Sequence, residues 1–211
     1  MAPASGAPQG AVLSPLLSNI YLVPLDHLMA QSGFEMVRYA DDFVILCRSA
    51  NDAVCALEIV RARVSEHGLT LHPTKTRMVD SRTNSFAFLG YEFRGTQHWP
   101  RNQSLKTLKD TLRKKTRRTS GDSLMWIIAD VNQTLRGWFH YFQHSTRRSV
   151  YRDLDSWLRM RLRSLLRRRS GGHGVARDHR ASFTWPNAWF AKRGLFSLAT
   201  AHTTACRSSL R

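Results

Sequence analysis

Apolar residues recur at three- and four-residue intervals through much of the second half of the chain. Leu124, Ile127, Ile128, Val131, Leu135, Trp138, Phe139 and Phe142 trace one face of a long helix. Val150, Leu154, Trp157, Leu158, Leu162 and Leu165 trace a second. A shorter stripe, Leu105, Leu108 and Leu112, predicts a helix from about 104 to 118 with Lys106, Lys109, Arg113, Lys114 and Lys115 above it. Three helices packed through such stripes form a small bundle with basic outer faces. Gly137 falls inside the longest of them. Glycine there costs up to about 1 kcal/mol relative to alanine, so close packing against another helix is expected at that point. Trp138 reads as core rather than as a platform for a base.

The first half alternates helix and strand patterns. Ser14 can cap a helix with Pro15 at its first position, and Leu16, Leu17, Ile20, Tyr21, Leu25 and Leu28 mark a core-facing stripe. Pro24 should kink or end that helix near Val23. Two runs rich in aromatic and β-branched residues, Phe34 to Tyr39 and Phe43 to Cys47, predict a hairpin at 35–47 held by a buried sheet. A second helix, about 51–66, should bury Val54, Leu57, Val60 and Val64, show Glu58, Arg61 and Arg63 to water, and stop at Gly68. Short strands near 69–71, 76–80, 86–90 and 91–94 would complete an antiparallel sheet with helices on one face. The fold class is α+β at the front and all-α behind it. A tail follows the Gly171-Gly172-His173-Gly174 linker; its Trp185, Trp189, Phe190, Leu195, Phe196 and Leu198 are apolar enough to dock on the bundle.

Charge sharpens this division. Residues 1–100 hold 8 Lys/Arg against 9 Asp/Glu, whereas residues 101–180 hold 20 against 6. The net charge of +17 over 211 residues, with an isoelectric point near 11.1, points to a polyanionic partner. Most of that charge lies on the helical part. A boundary is expected near residues 94–103.

Other chemistries find little support. Cys47, Cys55 and Cys206 form no CxxC pair and read as reduced thiols of a cytoplasmic protein. His140 and His144 stand four apart without an HExxH pattern or a nearby cysteine, which argues against zinc. No secretory leader is read at the N-terminus. The longest apolar run, Ala11 to Met29, contains Ser14, Ser18, Asn19 and Asp26 and is broken by Pro15 and Pro24, so no membrane span is expected.

The chemistry concentrates at Tyr39-Ala40-Asp41-Asp42. Adjacent carboxylates repel each other, and placing two at the tip of a hairpin suggests a divalent cation between them and a phosphate-bearing substrate. A polar turn is the plain alternative, since Asp is common in turns.

Four further blocks narrow the choice. Pro8-Gln9-Gly10, with Ser14-Pro15-Leu16-Leu17-Ser18-Asn19-Ile20-Tyr21-Leu22, resembles a PQG…SPLL.N.YL block, and the tetrad resembles a YADD box. Gly68-Leu69-Thr70-Leu71 with Lys75-Thr76, then Phe88-Leu89-Gly90-Tyr91, then Leu135-Arg136-Gly137-Trp138-Phe139-His140-Tyr141-Phe142 follow in the same order. Together they resemble the C-terminal part of a bacterial group II intron reverse transcriptase/maturase, over nearly the whole chain. The resemblance implies a partial palm at 1–95, a helical thumb and maturase-specific domain at 96–170, and a linker with a docked tail at 171–211. It implies RNA-directed DNA polymerisation by a two-metal Mg²⁺ mechanism, on an RNA template with a DNA primer and a deoxynucleoside triphosphate.

Under that resemblance Asp41 is the firm metal ligand and Asp42 the weaker one, while Lys75 assists the leaving pyrophosphate. Pro8, Gln9, Gly10 and Tyr39 lie beside nucleotide and template. Phe88, Leu89, Gly90 and Tyr91 grip the primer. Lys106, Lys109, Arg113, Lys114, Lys115, Arg136, Arg147, Arg148, Arg167, Arg168 and Arg169 would bind group II intron RNA through phosphates, 2′-hydroxyls and shape. The family's fingers and an earlier metal-binding Asp should precede residue 1, so this chain alone is expected to be inactive unless an N-terminal fragment complements it. The other reading is a non-catalytic RNA-binding maturase fragment or a decayed remnant.

Overall fold

The computed structural model describes residues 13–174 and 179–208. It is α+β, with two small antiparallel sheets and eight helices among the described residues. The chain divides into two compact units, Met1–Asp80 and Ser81–Arg211.

The first unit runs helix α1 (Ser14–Gln31), strands β1 (Glu35–Tyr39) and β2 (Asp42–Leu46), and helix α2 (Ala50–Glu66). Its core is Leu25 and Met29 of α1 against Ala56, Val60 and Val64 of α2, with Met36, Phe43 and Ile45 of the hairpin packed around them. Helix α1 departs from expectation twice. It begins at Ser14 with Leu13 as the capping residue, and it continues through Pro24 to Gln31. Proline removes one ladder bond, and burial of Leu25 and Met29 in the turns that follow offsets the loss. The expected stripe is also misplaced, for Leu16, Leu17, Ile20 and Tyr21 are exposed, Ile20 by 63%. A helix apolar nearly all round offers no contrast by which spacing could choose its inner face.

Helix α2 starts with a reciprocal capping box that the spacing argument missed. Ser49 Oγ accepts from the Asp52 N–H, and the Asp52 carboxylate accepts from the Ser49 N–H, both at 3.1 Å. Val54, expected inside, is exposed; Ala56 takes its place because it shares a face with Val60 and Val64. Gly68, at φ +67, supplies the left-handed residue past the helix end. The strands expected at 69–71 and 76–80 do not form. Pro73 has no N–H to donate there, and the chain instead closes a turn in which the Lys75 and Thr76 N–H groups bond the His72 carbonyl. The hairpin is therefore a two-stranded sheet of its own rather than part of a buried sheet, and Val37 and Leu46 are exposed.

The second unit opens with three antiparallel strands, β3 (Phe86–Phe88), β4 (Tyr91–Arg94) and β5 (Gln97–Pro100), in that order. The last was not expected, because Gln97-His98-Trp99-Pro100 has no alternating apolar pattern. Helices α3 (Asn102–Lys115), α4 (Leu124–Phe142) and α5 (Arg148–Arg169) follow, then α6 (His179–Thr184), α7 (Asn187–Lys192) and α8 (Leu198–Ser208). The predicted stripes of α3, α4 and α5 meet in one core with Phe190 and Leu198. Trp138 is half-buried against that core.

Two buried charges on α5 fix the C-terminal segment. The Asp155 carboxylate, only 4% exposed, accepts from Ser197 Oγ and from the N–H groups of Leu198 and Ala199, and so caps α8. Arg163 donates through Nε to the Trp185 carbonyl at 2.8 Å and through Nη2 to Asn187 Oδ1 at 2.7 Å. Neither role is legible in a hydropathy pattern.

Burial pushes the phenols of Tyr91 and Tyr151 up to about 12. An unfolded tyrosine titrates near 10, so the folded state favours the neutral form. That stabilisation is complete below about pH 10 and is lost as pH rises through the folded value near 12. Tyr151 Oη–H also donates to the Phe142 carbonyl. Tyr151→Phe should cost about 0.5–1.5 kcal/mol at pH 7 and flatten the loss of stability between pH 10 and 12, both measured by urea unfolding monitored by circular dichroism.

Candidate functional site

The Tyr39–Asp42 turn connects β1 to β2 in the register Tyr39↔Asp42, Arg38↔Phe43, Met36↔Ile45. This leaves Ala40 and Asp41 as a two-residue loop, with Asp42 as the first residue of β2. Both carboxylates are exposed, and among the described residues no side chain donates a hydrogen bond or ion pair to either. Tyr39 is 67% exposed. Ala40 has φ +53. The mirror-image turns that suit hairpins ask for positive φ at their first position, a conformation usually taken by Gly, Asn or Asp. Alanine there is strained, which marks the position for attention.

Arg38 is the residue that the sequence reading missed. Its guanidinium forks onto Asp26 of α1, Nε to Oδ1 at 2.8 Å and Nη2 to Oδ2 at 2.5 Å. Its Nη1 donates to Asn19 Oδ1 and to the Ala40 carbonyl, each at 2.9 Å. The hydrogen bonds it donates to Asp26 raise the arginine pKa above its ordinary value, outweighing burial, which lowers it. Asn19 and Asp26 are seven residues apart on one face of α1, a spacing that could have flagged them.

The pair suits a divalent cation in donor chemistry, since Mg²⁺ takes one or two carboxylates and completes its shell with water and phosphate oxygens. No group of three or more His, Cys, Asp or Glu side chains forms a metal cluster among the described residues. The pair therefore fits one ion held in part by other ligands and does not by itself make a two-ion site. Lys75 lies exposed in the 72–76 turn and makes no bond to either aspartate. Pro8, Gln9 and Gly10 lie outside the described residues.

In the second unit, Phe88-Leu89-Gly90-Tyr91 forms another two-residue hairpin, with Phe88↔Tyr91 paired. Both turn residues are left-handed, Leu89 at φ +46 and Gly90 at φ +79. The turn is fastened to α3 and α4. Tyr141 Oη donates to the Leu89 carbonyl at 2.8 Å, and Tyr91 Oη donates back to the Tyr141 carbonyl at 2.7 Å. The Gly90 carbonyl accepts from Arg101 N–H and Ser104 Oγ.

The basic residues sort by what they touch. Lys115 pairs with Asp130 at 2.5 Å, Arg147 lies 3.2 Å over the Trp99 ring, and Arg136 lies over Phe196. Arg169 donates to the Ser120 and Asp122 carbonyls, Arg168 meets His173, and Arg167 is also engaged within the chain. These six carry structural contacts. Lys109, Arg113 and Arg161 converge on Trp157 at 5.8, 5.6 and 5.4 Å. Burial, with Arg113 and Arg118 close by, lowers the Arg161 pKa, the mark of crowded cations. Lys106, Lys114 and Arg148 are exposed and make no ion pair or hydrogen bond among the described residues. Over the whole second unit, Ser81–Arg211, 26 Lys/Arg stand against 7 Asp/Glu.

Residues 1–93 match the family model described as reverse transcriptase (RNA-dependent DNA polymerase), and residues 105–183 match that of the group II intron maturase-specific domain. No curated protein matches the chain. No helix among the described residues is long and apolar enough to cross a membrane.

One expectation about this region fails. A Cβ at Gly137 would meet nothing within 4 Å, so close helix packing does not explain the glycine. Gly137→Ala should therefore stabilise the chain by about 0.5–1 kcal/mol. Gly90→Ala should do the opposite, since φ is +79, a conformation that strains any L side chain, while the added Cβ would make only ordinary contact with Ser104 Oγ at 3.4 Å and Phe142 Cζ at 3.5 Å. A loss of about 1–2 kcal/mol is expected for this left-handed residue. Paired urea titrations of the two variants test both signs.

Proposed function

We propose that this chain, which belongs to the group II intron reverse transcriptase/maturase family, works as an RNA-binding polymerase module that offers the Asp41–Asp42 pair to a nucleotidyl-transfer site. The observation that carries this reading is the pair itself, exposed and unpartnered on a turn braced from α1, in a chain whose second unit holds 26 Lys/Arg against 7 Asp/Glu. Bound there, Mg²⁺ would neutralise phosphate charge and orient a triphosphate toward a hydroxyl nucleophile. Asp41, at the tip, is the principal ligand and Asp42 the second. Tyr39, beside them with its side chain largely in solvent, would meet a base or sugar, and Lys75 would assist the leaving pyrophosphate. The family blocks assign Pro8, Gln9 and Gly10 to nucleotide and template binding as well.

Within this assignment residues 1–95 act as palm, 96–170 as thumb and maturase-specific domain, and 171–211 as linker and tail. The Phe88–Tyr91 turn, held from α3 and α4 at two carbonyls, has the rigidity that gripping a primer end requires. Lys106, Lys114 and Arg148 are the first choices for phosphate contacts, because their charges are not spent inside the chain. Lys109 and Arg113 flank Trp157 and extend that surface. The partner is group II intron RNA, with an RNA template, a DNA primer and deoxynucleoside triphosphates in the polymerase step. Combined with a fingers-bearing fragment, the chain should extend a primer on RNA, and Asp41→Asn should abolish extension. Undiminished synthesis by that variant would remove Asp41 from the site.

A non-catalytic RNA-binding maturase fragment or decayed remnant is the second reading, favoured by the 26 Lys/Arg against 7 Asp/Glu of the second unit, which suit RNA binding with or without catalysis. Either reading requires the same RNA behaviour. Replacing Lys106, Lys114 and Arg148 by Ala should leave the melting temperature nearly unchanged and reduce the log–log salt slope of RNA affinity by about 0.7–0.9 per lost phosphate contact. Lys115→Ala should instead lower stability, because Asp130 loses its partner. Filter binding against a group II intron transcript and an unrelated structured RNA of equal length tests the maturase assignment. Equal affinity at every salt concentration would leave only a basic helical module.

A further inference from the structure

We propose that Arg38 is a positioning residue for the Asp41–Asp42 turn. One guanidinium ties the Ala40 carbonyl to Asn19 and Asp26 of α1, and so sets the direction in which the two carboxylates meet a divalent cation. The positioning half of this inference stands on geometry alone; the cation half rests on the function proposed above.

The geometry is over-determined in a way that a surface ion pair is not. Four of the five N–H donors of Arg38 are used, two on Asp26, one on Asn19 and one on Ala40. Its side chain is 9% exposed. The bidentate fork onto Asp26 fixes the guanidinium plane, which leaves Nη1 pointing along the strand toward the turn. There it meets the carbonyl of a residue held at φ +53. A non-glycine residue persists in that region only where its surroundings hold it, and Nη1 supplies a hold on Ala40 that is itself anchored outside the hairpin, on Asp26 and Asn19 of α1. Lysine cannot substitute, because a single ammonium cannot fork onto Asp26 and still reach Ala40 and Asn19 in fixed directions.

Charge placement follows the same logic. A cation this close to two carboxylates would ordinarily compete with a metal for them. Arg38 makes no bond to Asp41 or Asp42, and its charge is matched by Asp26 on the other side. The turn is thereby braced by an arginine that is already paired with Asp26, and both aspartate side chains stay free of it.

The test uses the full chain with Mn²⁺ as the probe. Backbone chemical shifts of Ala40 report whether its φ is positive, amide exchange across β1 and β2 reports whether the hairpin persists, and water-proton relaxation reports Mn²⁺ affinity. In Arg38→Lys, Ala40 should lose its left-handed signature and Mn²⁺ should bind about tenfold more weakly, the range seen when groups supporting a metal ligand are lost, with the hairpin amides still protected. Asp41→Asn should weaken Mn²⁺ without changing the Ala40 signature. If Arg38→Lys unfolds the first unit, Asn19→Ala, which spares the Asp26 fork, carries the same expectation with a smaller loss of Mn²⁺ affinity. An unchanged Ala40 signature in the folded variant would overturn the positioning role. An altered signature with unchanged Mn²⁺ affinity would overturn its link to the metal. Absence of Mn²⁺ binding in every protein, with the Ala40 signature still lost on mutation, would uphold the positioning and defeat the metal reading instead.

Discussion

Two left-handed residues that are not glycine govern what this chain can present to a substrate. Ala40 and Leu89 each begin a two-residue hairpin loop, at φ +53 and +46. Each has its carbonyl taken by a long side chain reaching from outside the loop, Arg38 in one case and Tyr141 in the other. A hairpin turn of this hand is cheap with glycine and costs about 1–2 kcal/mol with another residue. The surrounding helices exist in part to meet that cost. α1 supplies Asn19 and Asp26 to hold Arg38, and α4 supplies Tyr141 while its inner face is locked in the core.

How the helices can do this follows from where apolar surface is buried. In the second unit α3, α4 and α5 share one continuous core, and the two charged groups that α5 carries into it are satisfied, Asp155 by three donors and Arg163 by two acceptors, whereas the Trp138 indole Nε1 is buried beside that core without a partner among the described residues. Buried charges of this kind are strongly destabilising to strip of a partner, by about 3–5 kcal/mol. They therefore act as fixed points between α5 and the segment that follows it. The first unit is thinner. Its hairpin has one face on α1 and α2 and another largely in water, so the brace from Arg38 replaces what a wider sheet would provide by packing.

Much of this was legible beforehand, and the failures have physical causes. The stripes of α4 and α5 read correctly because polar and apolar positions contrast sharply around each helix. α1 lacks that contrast; Leu16, Leu17 and Ile20 have the right spacing and the wrong side. The hairpin itself was visible from Phe34 to Cys47, but the left-handed Ala40 was not, since nothing in alanine announces positive φ. Likewise β5 pairs through Gln97, His98 and Trp99, which gain their place from β4 and from Thr146, whose N–H bonds the His98 carbonyl at 2.8 Å. The family blocks drew attention to Asp41, Asp42 and the Leu89–Gly90 pair, and both pairs fall at hairpin turns. The residues that hold those blocks, Arg38, Asp26 and Tyr141, emerged only from the contacts.

The cap that Asp155 places on α8 also sets an order of events during synthesis. Leu198 and Phe190 complete the core around α5, and until Ser197, Leu198 and Ala199 exist the Asp155 carboxylate has, among the described residues, only the long 4.0 Å ion pair with Arg159. A ribosome moving at roughly 5–20 residues per second thus leaves α4 and α5 displaying apolar stripes beside a carboxylate without its backbone donors for several seconds. Through that interval the basic outer faces keep nascent chains apart by mutual repulsion, so the charge that suits this protein to a polyanion also guards it while it is unfinished.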